Sequence, residues 1–329
     1  MKQLITEIQS WGIRVPPDII GRNGGAGPAE GRAMLIEGVA VNVPICGDYT
    51  ALSPFHLVAE PDNRYGLYRQ DTRLATVSVV PRPRFYNQTN SDGVPYWKIA
   101  LLHGNDCLAT TVLQRCTHWK NNRRCAFCGT ERSLESQATI AVKTSAQLTE
   151  VARHAQSEDQ VSHMVLTSGA ADITDLEIDY MARCAAAIKA SVQLPIHVQF
   201  LPPADLGKIN QLKKAGVDTV GIHIESFDDD VLRVMAPAKA RIGLDKYEAA
   251  WKEAVSVFGP NQVSSFLIAG LGESPDSIAW GSEFLADLGV YPFIVPLRPI
   301  AGSPLQDAIP PDPGVMSHIY QTVANILRR

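Results

Sequence analysis

The spacing of apolar and polar residues changes character along the chain. In the first hundred residues, apolar positions come as short β-like runs: Met34 to Ile36, Val39 to Val43, Leu74 to Val80 and Tyr96 to Leu102. Pro81, Pro83 and the turn-forming NSDG at 90–93 punctuate them, and the glycine-rich GRNGGAGPAEGR at 21–32 predicts a loop. From about residue 107 a regular alternation sets in. CLATTVLQ predicts a strand, and TSAQLTEVARHAQ (144–156) a helix, with Leu148, Val151 and Ala155 at helical spacing. HMVLTSG (163–169) predicts a buried strand and TDLEIDYMARCAAAIKAS (174–191) an amphipathic helix. The same pairing recurs through PIHVQFL with 203–216, VDTVGIHIES with 245–259, and QVSSFLIAG with 274–289. VYPFIVPLRPI is a sixth strand, and 314–328 a closing helix. Short β-α steps of this kind give a barrel, a partial barrel or an open parallel sheet. In each of these the site lies at the strands' C-terminal ends, so the segment directly after CLATTVLQ lies there too.

Composition narrows the function class. The 329 residues include 45% hydrophobic positions, enough for a substantial core, and 30 basic against 34 acidic residues give a formal charge of −4. That balance exerts no general pull toward nucleic acid or an anionic membrane. No apolar run approaches the roughly 20 residues that span a bilayer. MKQLITEIQSWGIRV has no apolar stretch ahead of a small-residue cleavage site, so a cytoplasmic protein without a secretory signal is expected. Clustered cysteines in such a chain point to metal or redox chemistry rather than disulfides.

Three of the six cysteines crowd one stretch, CTHWKNNRRCAFC: Cys116, Cys125 and Cys128. Thiolates favour zinc or iron–sulfur clusters. A structural zinc site closes with four protein ligands, and His118 is the available fourth. A four-iron cluster held by three cysteines instead leaves one iron open. NNRR at 121–124 makes the loop electropositive, which favours thiolates, although it reads equally well as a solvated surface loop.

With Phe127 as the aromatic before the last cysteine, the stretch resembles the radical S-adenosylmethionine (SAM) superfamily. It departs from that family's usual spacing by an eight-residue first gap. Four later strand ends carry the resemblance further. TSG at 167–169 resembles the segment that holds the methionine amino group (Ser168, Gly169). GIHIES at 221–226 resembles the ribose-binding strand end (Glu225). FLIAGLGE at 266–273 (Ile268, Gly270) and PLRPIAGSPL at 296–305 (Arg298, Ile300) resemble the adenine-flanking segments. Lys239 and Arg241 stand where relatives place a cation for the methionine carboxylate. Whole-chain character is similar to a poorly characterised group of the biotin synthase and lipoyl synthase branch associated with nitrilase gene clusters.

The resemblance implies an α/β protein with a partial (β/α)6 TIM-like barrel and a small β-rich N-terminal region. Residues 1–104 would form that region, a candidate lid (Gly24–Gly25) or auxiliary-site element. Residues 105–310 would form the barrel and 311–329 a helical tail. It implies a [4Fe-4S] cluster on Cys116, Cys125 and Cys128, and S-adenosylmethionine on the open iron. A flavodoxin or ferredoxin would serve as electron donor. A 5′-deoxyadenosyl radical would abstract hydrogen from a small metabolite, with neither membrane nor nucleic acid as partner. Cys184 reads as a buried structural thiol. Cys46 and Cys107, helped by His56 or His103, are candidates for a second cluster. With it, sulfur insertion or sulfur-for-oxygen exchange is the expected outcome; without it, rearrangement, epimerisation or C–C bond chemistry is. No residue is assigned to the catalytic step itself. The competing reading is a zinc-stabilised nucleic-acid-binding module on Cys116, Cys125, Cys128 and His118.

Overall fold

The computed structural model describes residues 1–21, 31–62, 64–119 and 123–329. The Gly24–Gly25 lid candidate and the asparagines of NNRR lie outside the described residues.

The N-terminal part holds α1 (Lys2–Trp11), β1 (Gly31–Ile36), β2 (Val39–Pro44), α2 (Asp48–Ala51), β3 (Phe55–Glu60), β4 (Arg64–Arg69) and β5 (Thr72–Val79). The strands form one antiparallel sheet in the order β2-β1-β5-β4-β3. Its core gathers Ile8 and Ile13 with Met34, Ile36, Phe55, Leu67 and Val77. β3 and β4 are absent from the sequence-based expectation. RYGLYR has charged ends and a central glycine, and its apolar content is legible only once Leu67 is seen packed in the core.

The larger part begins with β6 (Leu101–His103) and β7 (Cys107–Thr111). It continues through α3 (Arg132–Glu135), α4 (Ser145–Asp159), β8 (His163–Thr167), α5 (Thr174–Ser191), β9 (Ile196–Gln199) and α6 (Gly207–Lys214). β10 (Thr219–Gly221), α7 (Asp229–Met235), α8 (Pro237–Ile242), α9 (Leu244–Phe258), β11 (Val263–Ala269), α10 (Pro275–Asp287), β12 (Val290–Pro296) and α11 (Pro313–Ile326) complete it. Strand order runs from β6 to β12 without reversal; β7 to β12 are parallel and β6 is an antiparallel edge. Because the order never reverses, right-handed crossovers place every connecting helix on one face. The sheet curls into a half-barrel with its other face turned inward.

Local signals explain the helices. Thr144 and Gln147 form a reciprocal capping box at the start of α4, and Ser274 ahead of Pro275 caps α10. The alternate strand residues Leu108, Met164, Leu166, Ile196, Val198, Val220 and Ile222 meet the helices in one core. Each such fully buried aliphatic side chain contributes roughly 1.5–3 kcal/mol.

Tyr96 to Leu102, expected as a strand, is instead a 3₁₀ turn at Tyr96–Lys98 with only Leu101–His103 extended. Pro95 starts the turn, and the Tyr96 hydroxyl donates to Glu150 of α4 at 2.8 Å. Phe85, Tyr96, Ile99 and Ala100 belong to the barrel core, as do Met316, Ile319 and Val323 of α11. Packing allegiance therefore passes to the barrel soon after Val80, ahead of residue 104. No helix among the described residues is long and apolar enough to cross a membrane.

Candidate functional site at the barrel mouth

The cysteine stretch follows β7 and lies at the C-terminal ends of the parallel strands. Cys116, Cys125 and Cys128 are each half-buried. They lie close enough to feel one another's charge: Cys128 acts on Cys116, and both act on Cys125. Burial pushes the Cys125 thiol up to about 12, with Lys239 opposing. Burial also raises Cys116, against backbone N–H groups of His118 and Ala170 that point at its sulfur. The backbone N–H of Thr130 donates to Cys128 Sγ at 3.4 Å, and the Thr130 hydroxyl lies 3.0 Å from that sulfur. Thiols so desolvated yet ringed by donors ionise readily only when a cationic centre joins them.

The loop is held from several sides. Glu131 accepts the Cys116 N–H at 2.8 Å, and Met235 of α7 accepts the Ala126 N–H at 2.7 Å. Ala170 accepts the Thr117 N–H at 2.8 Å. Gly169 sits so near that a Cβ there would lie 2.4 Å from the Arg115 carbonyl oxygen and 3.1 Å from the Cys116 nitrogen. Ser168 bonds the buried carboxyl of Glu177, whose Oε2 also accepts the Ala171 N–H at 2.8 Å. Glu177 itself is raised by burial, an effect those bonds partly offset.

Across the mouth, Glu225 takes a left-handed backbone with φ 77°, a strained choice for a residue that is neither glycine nor asparagine. Its N–H donates to Phe266 and its carbonyl accepts from Ile268, which fixes it against β11. The side chain is buried. Oε1 meets Lys239 Nζ at 2.5 Å, while Oε2 is buried without a partner. Lys239 also donates to the His223 carbonyl at 2.7 Å. Burial alone would lower this ammonium; Glu225 more than reverses that and holds it above its ordinary value. Lys239 is thus committed to Glu225, whereas Arg241 is exposed and within electrostatic reach of His118.

Sequence-distant positions converge beside this pair. Phe127, Ile268, Leu271 and Leu297 share a small apolar cluster. Ile300 packs on Gly129, 3.1 Å from where a Cβ would stand. Gly270 and Gly272 have φ of 101° and 116°, and Glu273 ties down the turn by accepting the N–H groups of Gly270 and Leu271 at 2.7 and 2.9 Å. Arg298 behaves otherwise: its guanidinium reaches back to the Asn42 carbonyl of β2 at 2.6 Å and joins the two parts of the molecule.

Cys46 and Cys107 are not gathered at this mouth. Cys107 is buried at the beginning of β7, the strand end opposite the cysteine loop; Cys46 is exposed after β2 in the other sheet. Cys184 is buried on α5 in the core, 3.6 Å from the Ser145 hydroxyl. Among the described residues, no three or more His, Cys, Asp or Glu side chains converge to hold a single ion. Cys116, Cys125 and Cys128 stand on one stretch within electrostatic reach of one another, and the His118 backbone N–H points at Cys116.

Sequence reasoning missed a buried chain behind the loop. Lys143 is 1% exposed, and its ammonium donates to Gln114 Oε1 at 2.8 Å. Gln114 in turn donates to the Thr130 carbonyl at 2.8 Å, beside Cys128. Burial lowers Lys143 to about 7.

Residues 122–280 match the family model of the Radical SAM superfamily. The chain carries a radical SAM domain. The matched segment contains Cys125, Cys128, Ser168, Gly169, Glu225 and Gly270 and begins after Cys116. The domain's cofactors are a [4Fe-4S] cluster and S-adenosylmethionine. Among curated proteins, bacteriochlorophyllide c C-7(1)-hydroxylase of Chlorobaculum limnaeum is 25% identical over 170 residues, which are 50% of this chain and 42% of that protein. The chain thus spans under half of that relative's length. Two solved structures share the fold. Methylornithine synthase aligns with TM-score 0.52 and 13% identity over 74% of this chain and 71% of its own. The FeFe-hydrogenase maturase HydG from Carboxydothermus hydrogenoformans aligns with TM-score 0.50 and 19% identity over 68% and 50%.

Proposed function

We propose that the chain is a radical SAM enzyme that abstracts hydrogen from a small-molecule metabolite. The observation that carries this reading is the unpartnered, buried Oε2 of Glu225, held next to Lys239 and within electrostatic reach of Cys125. A buried acceptor left unpaired costs on the order of 1–3 kcal/mol, and a ligand with hydroxyl groups relieves it. In this reading Cys116, Cys125 and Cys128 hold the cluster, and Glu225 accepts the ribose hydroxyls. The Ser168–Gly169 turn receives the methionine amino group. Phe127, Ile268, Gly270 and Ile300 flank the adenine. Arg241 takes the methionine carboxylate, because Lys239 is already paired. Arg298 contributes backbone only. When bound and reduced, the cluster supplies the electron that splits the sulfonium–C5′ bond of S-adenosylmethionine into methionine and a 5′-deoxyadenosyl radical. A small flavodoxin- or ferredoxin-type protein is the proposed electron donor.

The curated hydroxylase supports C–H functionalisation of a small molecule as the outcome. Sulfur insertion or sulfur-for-oxygen exchange would require a second cluster, for which Cys46, exposed after β2, and Cys107, buried at the start of β7, are the candidate ligands. Placement within the biotin synthase and lipoyl synthase branch remains a proposal resting on sequence character alone. Iron, sulfide and 5′-deoxyadenosine are to be quantified after anaerobic reconstitution and dithionite reduction. The wild type should hold a brown four-iron cluster and release 5′-deoxyadenosine. The Cys116→Ala, Cys125→Ala, Cys128→Ala triple variant should do neither. A colourless zinc protein would overturn the reading, and residual iron in the triple variant would indicate a second cluster.

A further inference from the structure

The inward face of the half-barrel carries formal charge at the buried Glu225–Lys239 pair, beyond the end of β10, and not along its strands. Ile222 and Ile224 point to the helices, so Gly221, His223 and Glu225 alternate inward. Through strands β7 to β12, none of the inward positions is Asp, Glu, Lys or Arg. One side of that face is instead a continuous band of rings. His223 lies flat on Phe266, with centroids 3.9 Å apart and planes at 3°. Phe266 meets Phe293 at 5.3 Å, and Phe293 meets Tyr291 at 6.2 Å. At the open edge strand β12 these last two rings are 46% and 41% exposed, large apolar surface inside a concave wall.

The buried end of the band carries an unsatisfied donor. The Phe266 N–H donates to His223 Nδ1 at 3.1 Å, so the neutral ring keeps its proton on Nε2. That Nε2 is buried without a partner, in a side chain only 8% exposed. A Cβ on Gly221 would meet it at 2.7 Å and His197 Nε2 at 3.0 Å, so both imidazoles turn toward the space above that glycine. Both rings are held neutral. Burial first, then Lys239, drives His223 far below its ordinary value, and burial, then His163, brings His197 to about 4. His223 precedes Glu225 by two residues on the same face.

We infer that this band is the substrate wall and that it takes an uncharged, planar ring compound bearing a hydrogen-bond acceptor. A flat ring stacks on Phe266 and Phe293. Its acceptor takes the His223 Nε2–H. A formal charge would be desolvated against the rings with no counter-ion on the strands, since Lys239 and Glu225 already answer one another. The inference deepens the radical reading, on which it rests for the fate of the bound ring.

The test is isothermal titration of the reconstituted protein with three probes: 2-quinolone (planar, neutral, with a carbonyl), quinoline-2-carboxylate (planar, anionic) and cyclohexanone (neutral, not planar). 2-Quinolone should bind at least about tenfold more tightly than either of the others. Phe293→Leu, at an exposed position that the fold tolerates, should weaken it about fivefold, as should His223→Phe. Trp280→Leu, which removes an exposed ring on the outer helix α10, should leave binding unchanged. The inference is overturned if quinolone does not bind or if either control binds as tightly. It also fails if Trp280→Leu weakens binding as much as Phe293→Leu does. Cluster content and 5′-deoxyadenosine are measured on the same preparation. A protein that holds the cluster and cleaves the cofactor but shows no preference loses this inference alone. One that holds no cluster loses the earlier reading, while the probe titration still decides the wall.

Discussion

In the N-terminal sheet, Arg73 meets Glu60 through two bonds of 2.8 and 2.9 Å on a solvent-facing surface, and Arg64 meets Asp62 at 3.3 Å in the open. In the half-barrel, Lys239 meets Glu225 at 2.5 Å with both side chains nearly wholly buried, and Lys143 is sealed behind the cysteine loop. The first arrangement is what water tolerates anywhere: exposed pairs, screened by salt, that scarcely affect stability. The second destabilises unless something is gained from it, because an ion removed from water costs several kcal/mol even when paired. At the barrel mouth the buried pair leaves one carboxylate oxygen unpartnered, which a ligand with donor groups would satisfy. The unpartnered Oε2 of Glu225 and Nε2 of His223 lie in the half-barrel, within two residues of one another.

Substitutions that break this contrast should scale with burial. After the triple cysteine variant, the largest effect is expected from Gly169→Ala. Its Cβ would meet backbone atoms of Arg115 and Cys116, which cannot swing aside as a side chain can. Cluster content and 5′-deoxyadenosine formation should fall at least about tenfold, as a displaced ligand loop predicts. Wild-type iron content in this variant would show that the loop is not held by the Ser168–Gly169 turn.

Glu225→Gln comes next. It keeps the shape, removes the partner of a buried ammonium, and should cost about 3 kcal/mol in denaturant unfolding. The KM for S-adenosylmethionine should rise about tenfold. Adding Lys239→Met should restore stability without restoring KM, since only the cation's burial has been relieved. A double variant that recovers both would reduce Glu225 to a structural role.

Lys143→Met tests buried charge away from the mouth. Burial lowers the folded ammonium to about 7, so between that value and the unfolded one the unfolded chain binds more protons. Wild-type stability should therefore rise as pH goes from 7 toward 10, and the penalty should be fully present below 7. Lys143→Met should outlast the wild type in thermal melts at pH 6 by a few kcal/mol, less about 1 kcal/mol for the lost bond to Gln114. The advantage should fade toward pH 10; a constant difference would mean that the lysine does not titrate in the fold. The smallest effect is expected from Arg73→Ala in the N-terminal sheet. Its unfolding midpoint, iron content and 5′-deoxyadenosine formation should match the wild type, and a marked loss would erase the contrast.

The parts of this arrangement legible in the sequence are those whose signal is local. Residues 174–191 are one helix because apolar residues recur on one face, and the α5 bounds coincide with that reading. The three thiols announce a soft-ligand site by type and crowding. Glu225 stands out because it ends a β-run at the correct strand end, though neither its φ of 77° nor its free oxygen could be read there. Lys143, just ahead of a capping box, looks like any solvated lysine, because burial is a property of the folded neighbours. Glu273 reads as part of a glycine motif until its carboxylate is seen accepting two backbone N–H groups. Arg298 sits where an adenine contact is expected, and only the N-terminal sheet reveals its competing partner, Asn42. The ring band is invisible for the same reason, since His223, Phe266 and Phe293 come from three strands.

Electron paramagnetic resonance of the dithionite-reduced, reconstituted protein, recorded before and after adding S-adenosylmethionine, addresses the open iron most directly. A cluster held only by Cys116, Cys125 and Cys128 should give a reduced four-iron signal whose g values shift when the sulfonium compound ligates the remaining iron. A signal that the compound leaves untouched, or a protein with no such signal, would contradict the assignment of those three cysteines and of Glu225 alike.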